Sequence, residues 1–567
     1  MYKRILAASL AILLMFATIG CTPSQPSQTD GASSDGSTTP AGTEQAGSVD
    51  VNVGIDPTTD GGLYGNVDYS QQEQLSYTYA GVGMSTEVQD FSQSDAIMCT
   101  IENKFNFRFA EATNLTWDNW DETMRIWINS GDMPDVMFYN INYADLSNYV
   151  DQGLIREIPM ENFAQDYPML NNVLEKTEIS NQFVERFGGL YILPRVVYRD
   201  PPTDPLVGHQ MLVMRKDWLE ALGFEVKDRY TPSELIDFCS QVATATDLPG
   251  AIPGQTFGID STHLNYLCQI FILPYNPYFD TFYYDEEKGE YVWGAADPST
   301  LEGLRVMQEA WKKGVLHKEF YISTNRNPSS NLASGLAAAV FDCGTGMCTF
   351  GTYNQFVSVE GNDGENLHYA ASVADDGIAY NSETTNYWGG TIFSPSLSDE
   401  KLTRFLQMLD WLSSDPGQYL LRLGIYGQDW DYDDEGNLEI LRPKNESGSW
   451  PSINSVYPSL GNFLECMTVC TDGFSLEDPA LPEEIRDAVN SAFAIKAEGQ
   501  IRPIDWDLQL FSGTYYDKFY SSMQYGDELS ALVVADGDLE ANFNAWVEAN
   551  RPVVQNVLDE LNSSITK

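Results

Sequence analysis

Apolar and polar positions along this chain switch repeatedly between a period of two and a period near 3.6, the grammar of alternating strands and helices. Lys104-Phe105-Asn106-Phe107-Arg108-Phe109 alternates polar with aromatic and predicts a half-buried strand. Trp117, Trp120, Met124 and Trp127 recur at helical spacing, with Thr116 as a cap and Gly131 as a stop. These aromatics read as core. Pro134 then breaks the chain before a short buried strand, Val136-Met137-Phe138. A strand-helix-strand unit of this kind builds parallel sheet. The pattern recurs with Met211 to Met214 as a strand and Arg215 to Leu219 as a short helix that Gly223 ends. Thr231-Pro232-Ser233-Glu234 is a capping box, and Leu235, Phe238 and Val242 should face the core behind it. Asp297-Pro298 opens a helix carrying Leu301, Leu304, Met307 and Trp311, closed at Gly314. Ala338 to Phe341 and Thr391 to Phe393 predict strands, the second followed by a helix with Leu402, Phe405, Leu406, Leu409 and Leu412. Leu539 to Leu561 is amphipathic, with a kink expected at Pro552. The acidic patches Asp285 to Glu290 and Asp431 to Asn437 each hold a glycine between strand-like runs and predict hairpins.

The first residues carry a different signal. Tyr2-Lys3-Arg4 is basic, and Ile5 to Phe16 is almost wholly apolar but short for a membrane span. With Thr18-Ile19-Gly20-Cys21 after it, this start resembles that of bacterial lipoproteins, although Thr18 stands where leucine is usual. The resemblance implies cleavage before Cys21 and lipidation of its sulfur. Pro23 to about Val49 is Ser, Thr, Gly, Pro and Gln with few apolar residues, which suits a flexible tether.

The body expected from Tyr69 onward is too long for one simple core and predicts at least two lobes. The formal net charge is -51, with 82 acidic residues against 31 basic ones. Such a chain is repelled by nucleic acid and by anionic lipid, so neither is an expected partner. There are eight cysteines, seven if Cys21 is lipidated. Cys343 and Cys348 lie close, as do Cys466 and Cys470, and disulfides and buried thiols both stay open. The histidines are scattered, and none has metal-ligand spacing. Asp429-x-Asp431-x-Asp433 begins like a calcium loop but has Asp434 where Gly is needed and Ile440 where Glu belongs. No metal and no cofactor is expected.

Several stretches resemble the extracellular solute-binding lipoproteins of ABC sugar importers, the large type found in Gram-positive bacteria. They are Ile128 to Val136 (INSGDMPDV), Leu193-Pro194-Arg195, Arg215 to Gly223 (RKDWLEALG), Trp311 to Phe320, Ser334 to Ala339 and Trp411 to Gly417 before Tyr426-Gly427. They run in that family's order over about residues 100–430. The resemblance implies an α/β fold of the two-lobed periplasmic-binding-protein type, with a hinge and a cleft between the lobes. It implies a signal peptide over 1–20, a lipid-anchored linker over 21–68, and a first lobe from 69–206 and 388–450. The second lobe would take 207–387 and 451–567. The chain would cross near Val207 and return near Trp388. Ligands of open α/β sheets sit beyond the strand ends, which selects Tyr139, Asn140 and Asn142, then Asp342, Gly344 and Thr345. Arg195 and Tyr198 precede the first crossing, and Tyr387 and Trp388 mark the return. Aromatic rings suit sugar CH faces, and Asp, Asn and Arg suit sugar hydroxyls. Gly389 and Gly390 would let backbone approach a ligand. Asp217 and Trp218 read as structural.

The expected partners are a carbohydrate, foremost an oligosaccharide, and the membrane subunits of an ABC permease. The protein is expected to be a monomer outside the cytoplasmic membrane, touching it through the anchor alone. The alternatives are a peptide or another polar solute as ligand, or a secreted glycan-active enzyme. GxSxG, HExxH and a Gly-rich phosphate loop are all missing from the sequence, so catalysis is not expected.

Overall fold

The alternation read in the sequence resolves into two five-stranded mixed sheets, each covered by helices, in a two-lobed α/β fold of the periplasmic-binding-protein type. This is a computed structural model, and it describes residues 52–82, 92–116, 120–140, 143–197, 203–322, 326–344, 346–445, 450–451, 453–460 and 481–565. All of these belong to one compact unit, Asp50–Lys567. In chain order the strands are β1 (Leu75–Val82), β2 (Phe107–Leu115), β3 (Val136–Tyr139), β4 (Leu193–Val196), β5 (Gln210–Arg215) and β6 (Arg229–Tyr230). Next come β7 (Phe257–Asp260), β8 (Phe282–Asp285), β9 (Glu290–Trp293), β10 (Ala337–Cys343) and β11 (Leu367–Ser372). The last are β12 (Tyr380–Ser382), β13 (Tyr387–Phe393), β14 (Trp430–Tyr432), β15 (Leu438–Ile440) and β16 (Gln500–Arg502).

The sheet of lobe 1 runs β2-β1-β3-β13-β4. β1, β2 and β3 are parallel, and β13 lies antiparallel between β3 and β4. The ends of β3 and β4 and the start of β13 therefore share one edge. The sheet of lobe 2 runs β6-β11-β5-β10-β7, with β5 antiparallel to both neighbours. There the ends of β7, β10 and β11 share an edge with the start of β5. The lobe 1 core joins residues from Tyr69 to Leu193 with others from Ile392 to Leu460. Helices on the two faces of the lobe 2 sheet bury separate apolar clusters, one around Leu212, Trp218 and Phe271 and one around Val213, Tyr369 and Val489.

The two edges are brought together by short crossings. Between Ser382 and Tyr387 the chain passes from one lobe to the other, a reach of about 17 Å at full extension. The two crossings run side by side and antiparallel. Val197 N–H donates to Asn386 O at 2.9 Å, Thr384 N–H to Leu206 O at 2.9 Å, and Gly208 N–H to Ser382 O at 3.0 Å. A further segment straps the lobes. Trp506 Nε1 donates to Glu178 Oε2 of lobe 1 at 2.9 Å, while Asp505 accepts from Tyr291 of lobe 2 at 2.9 Å. Leu508 lies in the lobe 2 core and Leu510 in that of lobe 1.

Much of the local reading holds. The capping box is formed in both directions, Glu234 N–H to Thr231 Oγ1 at 3.2 Å and Thr231 N–H to Glu234 Oε2 at 3.0 Å. Trp218 is fully buried and donates to Pro249 O, and Asp217 pairs with Arg215 at 2.7 Å. Both acidic patches turn hairpins, β8–β9 and β14–β15. Trp120 and Trp127 pack half-buried on the lobe 1 core, with Met124 and Ile128 fully inside; Trp117 lies outside the described residues.

The C-terminal amphipathic stretch forms the helix Leu539–Ser564, with Pro552 inside it. Three expectations are corrected. Lys104 closes the helix Ala96–Lys104 and Asn106 turns the chain at φ 48°, so the predicted strand begins only at Phe107. Ordered structure begins before Tyr69. Asp56, 3% exposed, accepts from Tyr432 OH at 2.9 Å, Tyr426 N–H donates to Gly54 O at 2.9 Å, and Lys104 Nζ reaches Asn52 Oδ1 and Gly65 O at 2.9 and 2.7 Å. Residues 52–68 thus form an arm clasped to lobe 1. Tyr457 and Leu460 also lie in the lobe 1 core, beyond the expected change at 451. Cys99, Cys239 and Cys268 are free thiols; Cys21, Cys466 and Cys470 lie outside the described residues.

Candidate functional site

The shared edge of β3, β4 and β13 gathers several of the residues selected from the sequence. Trp388 is half-buried on the start of β13. Its indole lies 5.3 Å from the Phe138 ring, and the Arg195 guanidinium sits 5.4 Å from the ring centroid. Such a contact combines cation–π attraction with packing and fixes the indole on the edge. Tyr387 is half-buried beside it, and Asn140 is half-buried just past β3.

Tyr139 differs from the expectation. It is 1% exposed and packs on Tyr149 with ring centroids 6.2 Å apart, so its ring belongs to the lobe core and does not line the edge. Arg195 is also buried, and acts on the edge through Trp388. The glycines of β13 have a packing reason. At Gly389, with φ at +63°, a Cβ would lie 2.4 Å from Phe138 Cζ, and at Gly390 it would lie 2.5 Å from Leu193 O. Their absent side chains make room for protein rather than for a ligand. Asn142, Tyr198 and Thr345 lie outside the described residues.

On the lobe 2 edge, Asp342, one residue before the end of β10, is half-buried and accepts a hydrogen bond from Thr262 Oγ1. Gly344 follows, its N–H donating to His209 O at 2.8 Å. Beside it, Asp260 is held by Asn331 Nδ2 at 2.6 Å and by Arg326 at 3.4 Å. Burial, with Lys496 nearby, pushes the His209 imidazole down to about 4, so it is neutral at physiological pH.

The same edge carries a pocket that the sequence reading missed. It is a small, partly open recess of about 50 Å3. Its polar lining is Gln210, Gln269, Ser372, Asn381, Ser382 and Lys496. These come from the start of β5, the helix Leu264–Phe271, the end of β11, β12 and the helix Glu483–Ala497, so no local pattern announces them. Lys496 Nζ donates to Gly208 O and Gln210 O, and Asn381 Nδ2 donates to Lys496 O at 2.9 Å. Among the described residues, no group of three or more His, Cys, Asp or Glu side chains is placed to hold a metal ion.

Comparisons with known proteins extend this picture at the level of fold. No family model matches the chain, and no curated protein sequence matches it. Solved structures do. The alginate-binding protein AlgQ2 superposes with a TM-score of 0.61 at 15% identity, over 87% of this chain and 98% of that one. The ABC-transporter substrate-binding protein FusA of Streptococcus pneumoniae, in complex with kestose, gives 0.58 at 14% identity over 86% and 100%. An extracellular solute-binding protein of Bifidobacterium longum subsp. infantis gives 0.58 at 12% identity over 87% and 99%.

Proposed function

We propose that this protein is the substrate-binding component of an ABC transporter, capturing a carbohydrate, foremost an oligosaccharide, between its lobes. The observation that carries this reading is the pairing of two edges across a short hinge. One edge offers the braced indole of Trp388, and the other a pocket lined by amides and hydroxyls without a carboxylate. An aromatic face suits the CH face of a sugar, and amides and hydroxyls suit its hydroxyl fan. Two of the similar folds are named for carbohydrates, alginate and kestose, which supports the same class. Trp388, Tyr387, Asn140 and Asp342 would touch the ligand, with Arg195 positioning Trp388. Closure would be a hinge motion driven by contacts made only in the closed state, and the closed form would be delivered to the permease.

The lipoprotein-like start supports anchoring through Cys21 at the outer face of the cytoplasmic membrane. With residues 52–68 clasped to lobe 1, the tether would lead from that lobe and leave lobe 2 to swing. A thermal-shift screen against neutral oligosaccharides, uronate oligosaccharides and peptides tests the reading. A concentration-dependent rise with a glycan series supports it, since ligand bound to the folded state alone raises Tm. A rise with peptides only replaces the ligand class.

A further inference from the structure

Residues 504–510 belong to both lobes at once. Asp505 caps a single helical turn, Trp506–Gln509, its Oδ1 accepting from Leu508 N–H at 3.2 Å, and Leu510 N–H donates to Trp506 O at 3.1 Å. Residues three and four apart share a face of such a turn. Trp506 and Leu510 make one face, against lobe 1: the half-buried indole packs on its core and Leu510 is buried in it. Asp505 and Leu508 make the other, against lobe 2. There Asp505 accepts from Tyr291 OH, the Leu508 side chain lies in the core, and Leu508 O accepts from Tyr516 OH at 3.3 Å. The chain on either side is also held to lobe 2 or to the crossing, Ile504 N–H by Glu383 Oε2 at 2.9 Å and the Phe511 ring by that of Tyr516 at 5.2 Å. On the lobe 1 side the polar hold is the hydrogen bond from Trp506 Nε1 to Glu178 Oε2 at 2.9 Å. Glu178 opens the helix Glu178–Phe187, two residues after Lys176, whose O accepts from the crossing residue Asn386. A hydrogen bond keeps its strength only over about 2.7–3.2 Å and close to a straight line, whereas apolar faces slide on one another.

We propose that this turn is an interlobe latch: it travels with lobe 2, and the hydrogen bond from Trp506 to Glu178 holds the ligand-free lobes at the angle of this structure. Leu510 is the bearing, an apolar contact that tolerates rotation. A change in interlobe angle moves the turn relative to Glu178, so the bond is made at one angle and lost at others. Its net worth is a factor of roughly five in that balance. A solute shifts the lobes only through its differential affinity for their arrangements, so the latch sets the starting population against which capture works. Trp506 and Glu178 are thus positioning residues. The inference needs only the two-lobed hinge and holds for whatever solute the cleft takes.

The test is pulsed electron paramagnetic resonance on the full chain without ligand, with spin-labelled unnatural residues at the exposed Asn129 of lobe 1 and Glu309 of lobe 2. Wild type should give one narrow interlobe distance distribution. Trp506→Phe keeps a ring and loses the donor, and Glu178→Ala loses the acceptor. Each should broaden the distribution to the same width, with the fraction outside the wild-type peak rising roughly fivefold. The double variant should be no broader than either single one. Glu178→Gln keeps an acceptor and should restore the wild-type distribution. Glu178 is exposed, so its variants should keep the wild-type Tm, which separates a shift in angle from a loss of fold. A wild-type distribution in folded Glu178→Ala, or broadening in Trp506→Phe alone, would overturn the latch and leave the carbohydrate reading untouched.

Discussion

The two edges that face each other across the hinge spend their polar groups differently. On lobe 1 they are used to hold the lobe together: Arg195 is buried against Trp388, and Asn386 donates to Lys176 O at 2.8 Å. Deeper in that lobe, Asp410 accepts from Met169 and Leu170 N–H at 2.7 and 2.9 Å, and Lys104 pins the N-terminal arm. On lobe 2, Gln269, Ser372 and Ser382 line a pocket, and their side chains make no hydrogen bond among the described residues. The difference teaches where recognition capacity resides. A buried polar group already paired contributes order, whereas one left unpaired at a concave edge is available to a ligand. Substitutions in lobe 1 should therefore register mainly in stability, and those at the pocket mainly in affinity.

The largest expected effect sits at Asp410. Burial pushes its carboxyl up to about 6, against the pull of two backbone N–H groups, and Oδ2 has no partner among the described residues. The folded state therefore favours the protonated form. The stabilisation is full below about pH 4 and is lost as pH rises through about 6, on the order of 3 kcal/mol in total. Denaturant unfolding at pH 4.5 and 7.5 should show Asp410→Asn gaining relative to wild type at the higher pH; a constant difference would place the charge in solvent.

Arg195→Ala should sharpen the contrast within one edge. Loss of a buried guanidinium that braces an indole is expected to cost about 2 kcal/mol of stability and to weaken ligand binding as Trp388 loosens. Lys104→Met follows, at roughly 1–2 kcal/mol, since Asn52 Oδ1 and Gly65 O would lose their donor. Burial holds the Lys104 ammonium down to about 8, below its unfolded value, so the wild type should gain on Lys104→Met as pH rises from about 8 to 10. Proteinase K should clip residues 52–68 faster in that variant, and unchanged clipping would mean that the other contacts alone hold the arm. The smallest stability effect belongs to Ser372→Ala, within about 0.5 kcal/mol, with affinity for a bound glycan reduced several-fold. A large Tm loss there would break the contrast.

What the sequence made legible was periodic and local. The Thr231–Glu234 box, the buried row Leu235, Phe238 and Val242, and the two hairpins follow from spacing and turn residues over a dozen positions or fewer. Trp388 was selected as an aromatic beside the crossing that the resemblance implies, and the structure places it half-buried at the start of β13. Three things were not. Leu75–Val82 became a sheet strand without being singled out, since its pairing partners lie in β2 and β3. The arm was read as linker because its few apolar residues give no period. Its hold comes from single contacts with distant residues, such as Asp56 with Tyr432. The pocket is assembled from small polar residues on five separate elements, each unremarkable in its own segment. Tyr139 failed for the opposite reason: position at a strand end selected it, but its ring turns into the core.

The measurement that tests the account most directly is a double-mutant cycle on glycan affinity, using Trp388→Ala, Gln269→Leu and their combination. If the ligand bridges the two edges, each single change weakens the same glycan, roughly 30-fold and tenfold. The double variant should then lose binding while keeping its Tm. Wild-type affinity in either single variant would contradict the claim that both lobes hold the ligand.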